Sequence, residues 1–190
     1  MRTSIFIVAL AAAALTAANA TAAPKWQQPR TLPQQLAVAR DATAKYVDGL
    51  SRAKADGYQI LTKMIPNMGY HFINPAVKGF DLRKPPILVY EHQGAAWRLA
   101  ALEWVFPAKP ATAPVPGARY GTFGAACHYK DGTVVFASAA VECAPTAPAT
   151  GAKFNFWHGP LVTMHIWLWY PNPLGIFSGM NSLASVFNKG

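Results

Sequence analysis

Leu161-Val162-Thr163-Met164-His165-Ile166-Trp167-Leu168-Trp169 carries nine uncharged residues in strict alternation. Val162, Met164, Ile166 and Leu168 are aliphatic, whereas Thr163, His165, Trp167 and Trp169 are aromatic or hydrogen-bonding. Period two in β-branched and aromatic types predicts a strand. A strand apolar on both faces lies between two layers or lines a cavity. One face of this strand holds an imidazole among indoles, so it is where a pocket is expected. Pro171-Asn172-Pro173 ends it.

Other strand patterns surround this one. Ile87–His92 and Trp97–Phe106 read as a hairpin joined by Gln93-Gly94-Ala95-Ala96. That loop sets His92 against Trp97, Glu91 against Arg98 and Tyr90 against Leu99, which predicts a Glu91–Arg98 cross-strand ion pair. Leu99, Ala101, Glu103 and Val105 then share a face, so Glu103 is a carboxylate on an apolar surface. Such a group needs a partner or keeps its proton. Tyr58–Met64, Tyr70–Asn74, Ala126–Tyr129, Thr133–Ser138 and Phe154–Trp157 are further short candidates, with Asp131-Gly132 as a type I′ turn.

Leu36, Ala39, Thr43, Tyr46, Val47, Leu50 and Ala53 recur at helical steps, with Thr31 as cap, Pro33 in the first turn and Gly57 as stop. The fold class expected is α+β, one long N-terminal helix packed on a curved, mainly antiparallel β-sheet or partial β-barrel.

Met1-Arg2-Thr3-Ser4, the apolar run Ile5–Leu15 and small residues near Ala20 and Ala22 have the form of a secretory signal peptide over residues 1–22. Residues 23–190 then make a single globular domain, roughly 170 residues and large enough for a real core. The run falls short of the ~20 residues a membrane span needs, and the mature chain has no transmembrane segment of that length. An exported chain with two cysteines predicts a Cys127–Cys143 disulfide, worth roughly 3 kcal/mol for such a loop. The setting is periplasmic or secreted. Net charge is +9, from 17 basic and 8 acidic residues, but the charges are scattered singly and offer no nucleic-acid footprint. Walker, GxSxG, HExxH and GxGxxG motifs are missing.

Five histidines remain as candidates for chemistry. His71 and His165 lie inside apolar strands, and with Glu103 they supply a 2-His-1-carboxylate donor set suited to Zn, Fe, Mn or Cu. His158 is a weaker fourth donor. Glu103, Thr163, Trp167 and Trp169 are the expected ligand-pocket residues. Three readings follow: an exported domain whose internal polar pocket binds a divalent metal or small molecule, a metal-dependent enzyme using the His/His/Glu site, or a structural envelope protein with a hydrogen-bonded polar core.

Asp56-Gly57-Tyr58, Met68-Gly69-Tyr70-His71-Phe72-Ile73-Asn74-Pro75, Ala101-Leu102-Glu103-Trp104-Val105 and His165-Ile166-Trp167-Leu168-Trp169 with Asn172-Pro173-Leu174-Gly175-Ile176-Phe177 are the blocks in which the chain resembles a family of uncharacterised exported bacterial proteins. The resemblance implies export. It carries no activity, but its blocks hold His71, Glu103 and His165.

Overall fold

The structure, a computed structural model, describes residues 31–184. The expected signal peptide (1–22), the lead-in to Arg30 and the last six residues lie outside the described residues. The fold is α+β. Helix α1 spans Leu32–Thr43, continues as a 3-10 turn over Ala44–Tyr46, and is followed by α2, Leu50–Ala55.

The single long helix expected from the periodicity is therefore broken. Gly49 adopts φ 141°, a conformation open to glycine and costly for other residues. Nearby carbonyls are also diverted to the sheet. Val47 accepts the Leu99 N–H at 3.3 Å, and Tyr46 accepts the Tyr90 hydroxyl at 2.9 Å. Gly57 does end the helical region, at φ 96° and with Asn74 packed beside it.

Among the described residues nine strands follow: β1 (Gln59–Ile65), β2 (Gly69–Ile73), β3 (Ile87–Gln93), β4 (Ala96–Phe106), β5 (Gly121–Phe123), β6 (Ala126–Tyr129), β7 (Val134–Phe136), β8 (Phe154–His158) and β9 (Leu161–Ile166). They form a curled six-stranded sheet in the order β1-β2-β3-β4-β9-β5 and a small sheet ordered β7-β6-β8. Every pairing is antiparallel. Strand β5 has only three residues, too few for a period to show in the sequence.

The β3–β4 register is the one expected, with Tyr90, Glu91 and His92 opposite Leu99, Arg98 and Trp97. Two details differ. Tyr90 pairs with Leu99 and Val89 with Ala101, so Ala100 bulges out of β4. Beyond the bulge Leu99 changes face and joins Tyr90, Leu102 and Trp104 in the main core, while Ala101 and Glu103 stay on the other side. Arg98 also turns away from Glu91, which is buried, and binds Asp48 at 2.7 Å.

The same bulge shortens β9. Ala100 carbonyl accepts both the Trp169 and Tyr170 N–H groups, at 3.0 and 3.2 Å, and pairing to β4 ends with Leu102 opposite Ile166. Alternation in the sequence runs on to Trp169; the ladder does not.

The helices cover one face of the large sheet through Ala39, Tyr46, Leu50 and Ala53, packed against Phe72, Leu88, Tyr90, Leu102, Trp104, Met164 and Ile166. The small sheet stands against the other face. It is stapled by the Cys127–Cys143 disulfide, whose Cα atoms are 5.6 Å apart. The turn between β6 and β7 is not type I′. Gly132 N–H bonds to Tyr129 carbonyl at 3.0 Å and only Gly132 has positive φ, so this is a three-residue loop closing on a left-handed glycine.

Gly132 also joins the two sheets, its carbonyl accepting the Lys63 N–H at 2.8 Å. A Cβ there would stand 2.6 Å from Ile60 Cγ1 and 3.0 Å from Lys63 N, at φ 83°. Gly132→Ala is expected to destabilise the fold by about 2–4 kcal/mol, from combined backbone strain and overpacking. Gly79, also at positive φ but in open space, should cost only about 1 kcal/mol on the same change. Urea midpoints of the two variants measure this, and equal losses would refute the close contact between the sheets.

Candidate metal centre

Antiparallel register brings the three expected donors together. On the face away from the helices, Ile73, Ile87, Glu103 and His165 form one cross-strand row from β2 to β9. The neighbouring row is Thr62, His71, Val89 and Ala101. His71 thus leans diagonally over β3 toward Glu103, with only aliphatic side chains between. The three residues are the only cluster among the described residues in which at least three such groups converge, with donor atoms all within 4.8 Å of one another.

Glu103 lies between the two imidazoles. Its Oε2 is 3.5 Å from His71 Nε2 and its Oε1 is 3.5 Å from His165 Nε2. Both distances are too long for strong charge-assisted hydrogen bonds, which fall near 2.7–2.9 Å. His71 is oriented from behind by Thr62, whose Oγ1 is 2.9 Å from Nδ1. With Nδ1–H donated to that hydroxyl, Nε2 presents its lone pair to Glu103, the arrangement an outer partner imposes on a metal-ligating histidine. His165 differs, because neither of its buried ring nitrogens has a hydrogen-bond partner.

Burial decides the charge state. Removal from water pushes the Glu103 carboxyl up to about 8. The same desolvation pulls His165 down to about 4; for His71, desolvation together with the nearby His165 ring lowers it to about 3. At neutral pH the three groups therefore meet uncharged, and no ion pair forms between them.

They open onto a cavity of about 140 Å³ between the two sheets. Leu61, Ile65, Met68, Val105 and Leu161 supply apolar lining, Phe123 and Phe156 supply rings, and Thr163 contributes a hydroxyl. Thr163 thus lies where the sequence suggested. Trp167 and Trp169 do not line it. With β9 ended at Ile166, Trp167 packs with Val89, Ala100 and Ala101 and donates to Ser178 carbonyl at 2.7 Å. Trp169 turns to the helix layer, under the Arg40 guanidinium and donating to Thr43 Oγ1 at 3.0 Å. His158 does line the cavity, but its ring pairs with His128 and stays out of the three-residue cluster.

Sequence reasoning passed over Thr62 and His128. Thr62 is an ordinary strand residue until β2 is laid beside it, and His128 lies on a four-residue strand too short to show a period. Glu91, expected to pair with Arg98 opposite it, is instead a second buried carboxylate on the Glu103 side of β3. Compared with known proteins, the chain matches no family model, no curated protein and no solved structure.

The charge states predict a two-sided stability profile for metal-free protein. Folded Glu103 holds a proton up to about pH 8 that the unfolded chain releases near 4.5, so stability falls as pH rises through that window. His71, His165 and His128, the last lowered to about 4 by burial, refuse a proton that the unfolded chain accepts near 6.5, so stability also falls as pH drops below 6.5. Unfolding midpoints in chelator should peak near pH 6.5 and decline toward 8. Glu103→Gln should flatten the alkaline decline alone; an unchanged decline would refute a protonated Glu103.

Proposed function

We propose that this is an exported domain that holds a divalent metal ion on His71, Glu103 and His165, with one coordination position open to an apolar cavity that admits a small molecule. The observation that carries this reading is His165: a buried imidazole with two unsatisfied nitrogens, one directed at a carboxylate 3.5 Å away. A hydrogen-bonded polar core would satisfy those atoms, since buried polar groups rarely go unpaired. A metal would satisfy Nε2.

The spacing supports the same ion class. Two donors each ~2.05 Å from an ion and 3.5 Å apart subtend roughly 117°, close to the tetrahedral angle favoured by zinc. Two neutral imidazoles and one carboxylate leave a net single positive charge on a dication. Three protein ligands with an open fourth position are also the composition of catalytic zinc sites, so a metal-dependent enzyme shares this geometry.

Export rests on the signal-like N-terminus together with the disulfide. Among the described residues no helix is long and apolar enough to cross a membrane.

Tag-free protein equilibrated with Zn(II) should hold one ion that His71→Ala and His165→Ala each weaken at least tenfold, with the fold retained by circular dichroism. Binding should release close to one proton at pH 7, read as the difference in binding heat between buffers, and Glu103→Gln should abolish that release. Equal zinc affinity in wild type and both histidine variants would end the metal reading. Water proton relaxation of the Co(II)-substituted protein separates an open fourth position from a closed site.

A further inference from the structure

The cavity has a second imidazole pair on its opposite wall, contributed by the small sheet. His128 Nδ1 lies 3.2 Å from Leu61 carbonyl, and His158 Nδ1 lies 2.6 Å from Gly159 carbonyl. A carbonyl oxygen only accepts, so each Nδ1 carries the proton. In a neutral ring that leaves Nε2 as a bare lone pair. Yet the two Nε2 atoms face each other at 3.0 Å. Two lone pairs at that distance repel unless something positive sits between or beside them.

A shared proton is one solution, but the surroundings disfavour the charge it brings. His128 is buried and lies flat on Phe156, with ring centroids 4.7 Å apart and planes 9° from parallel. Phe123 flanks both imidazoles at 5.8–6.4 Å. With each Nδ1 engaged by a backbone carbonyl, the pair presents two preorganised Nε2 donors in an aromatic setting.

From this geometry we infer that His128 and His158 form a second cation site in the same cavity, a cis bis-imidazole site suited to a tetragonal ion such as Cu(II). Donors 3.0 Å apart and each ~2.0–2.1 Å from an ion subtend roughly 95°, which is the cis angle of square-planar and octahedral coordination. Both rings line the cavity, from which water or a small ligand would complete the coordination. The site uses no residue of the His71–Glu103–His165 centre, so either can exist without the other.

The test uses tag-free full-length protein titrated with Cu(II) buffered by glycine, with electron paramagnetic resonance as readout. His165→Ala, which removes the other centre, should keep a Cu(II) signal with hyperfine splitting from two imidazole nitrogens. His158→Asn should lose that signal and weaken this site at least tenfold while leaving Zn(II) uptake at the other centre unchanged. His158 is only half-buried, so this variant is chosen for retention of fold; His128→Phe provides a second. Unchanged Cu(II) binding in a folded His158→Asn protein would overturn the inference. So would imidazole nitrogen spectra of metal-free protein showing Nε2–H on both rings. Loss of copper in His158→Asn, with no change in Zn(II) affinity in His165→Ala, would instead overturn the first centre and leave this one standing.

Discussion

Burial of β4 on both faces is the constraint on which the rest of this structure depends. Leu99, Leu102 and Trp104 must be covered on one side, and Ala101 and Glu103 on the other. A strand of that kind needs two layers over it: the chain supplies helices for the first, and for the second the small sheet across the cavity from Glu103 and the segment after β9, with Trp167, over Ala101. β3 pairs with its first part and β9 with its second, the Leu99 N–H goes to Val47 carbonyl, and the bulge at Ala100 is used: its carbonyl accepts the Trp169 and Tyr170 N–H groups beyond the end of β9, where Trp169 turns back to the helix layer. The carboxylate of Glu103 is buried in the middle of this arrangement, at the wall of the cavity.

The energetic consequence is a site left under-satisfied at His165 as a purely organic assembly. One proton-bearing carboxyl and two neutral rings lie close without good hydrogen bonds between them, in an interior where unsatisfied polar atoms typically cost 1–3 kcal/mol each. A dication would convert all three into ligands and remove the need for the carboxyl proton. The apolar remainder of the cavity lowers the local dielectric and strengthens whatever charge is placed there.

Much of this was legible in the residues. The alternation around His165, the hairpin register at Tyr90–Leu99 and the awkward placement of Glu103 were readable because period-two patterning reports burial directly. What failed did so where a local pattern was overruled by a distant partner. The helix periodicity through Val47 and Leu50 is genuine, yet Gly49 and the Leu99 amide break the helix there. Trp167 and Trp169 continue the alternation of β9 in sequence, but a bulge on another strand removes their partners. Glu91 was expected to pair with Arg98 opposite it; Asp48, 50 residues earlier in sequence, holds the arginine instead. The His128–His158 pair left no trace in the sequence, because it arises from the meeting of two short strands.

Strand β1 has a bulge of its own between Ile60 and Thr62, and Leu61 sits in it. Two adjacent residues there do unlike jobs: the Leu61 carbonyl steadies the ring of His128, and the Thr62 hydroxyl steadies the ring of His71. Imidazoles on facing walls of the cavity thus take their orientation from consecutive residues of one strand.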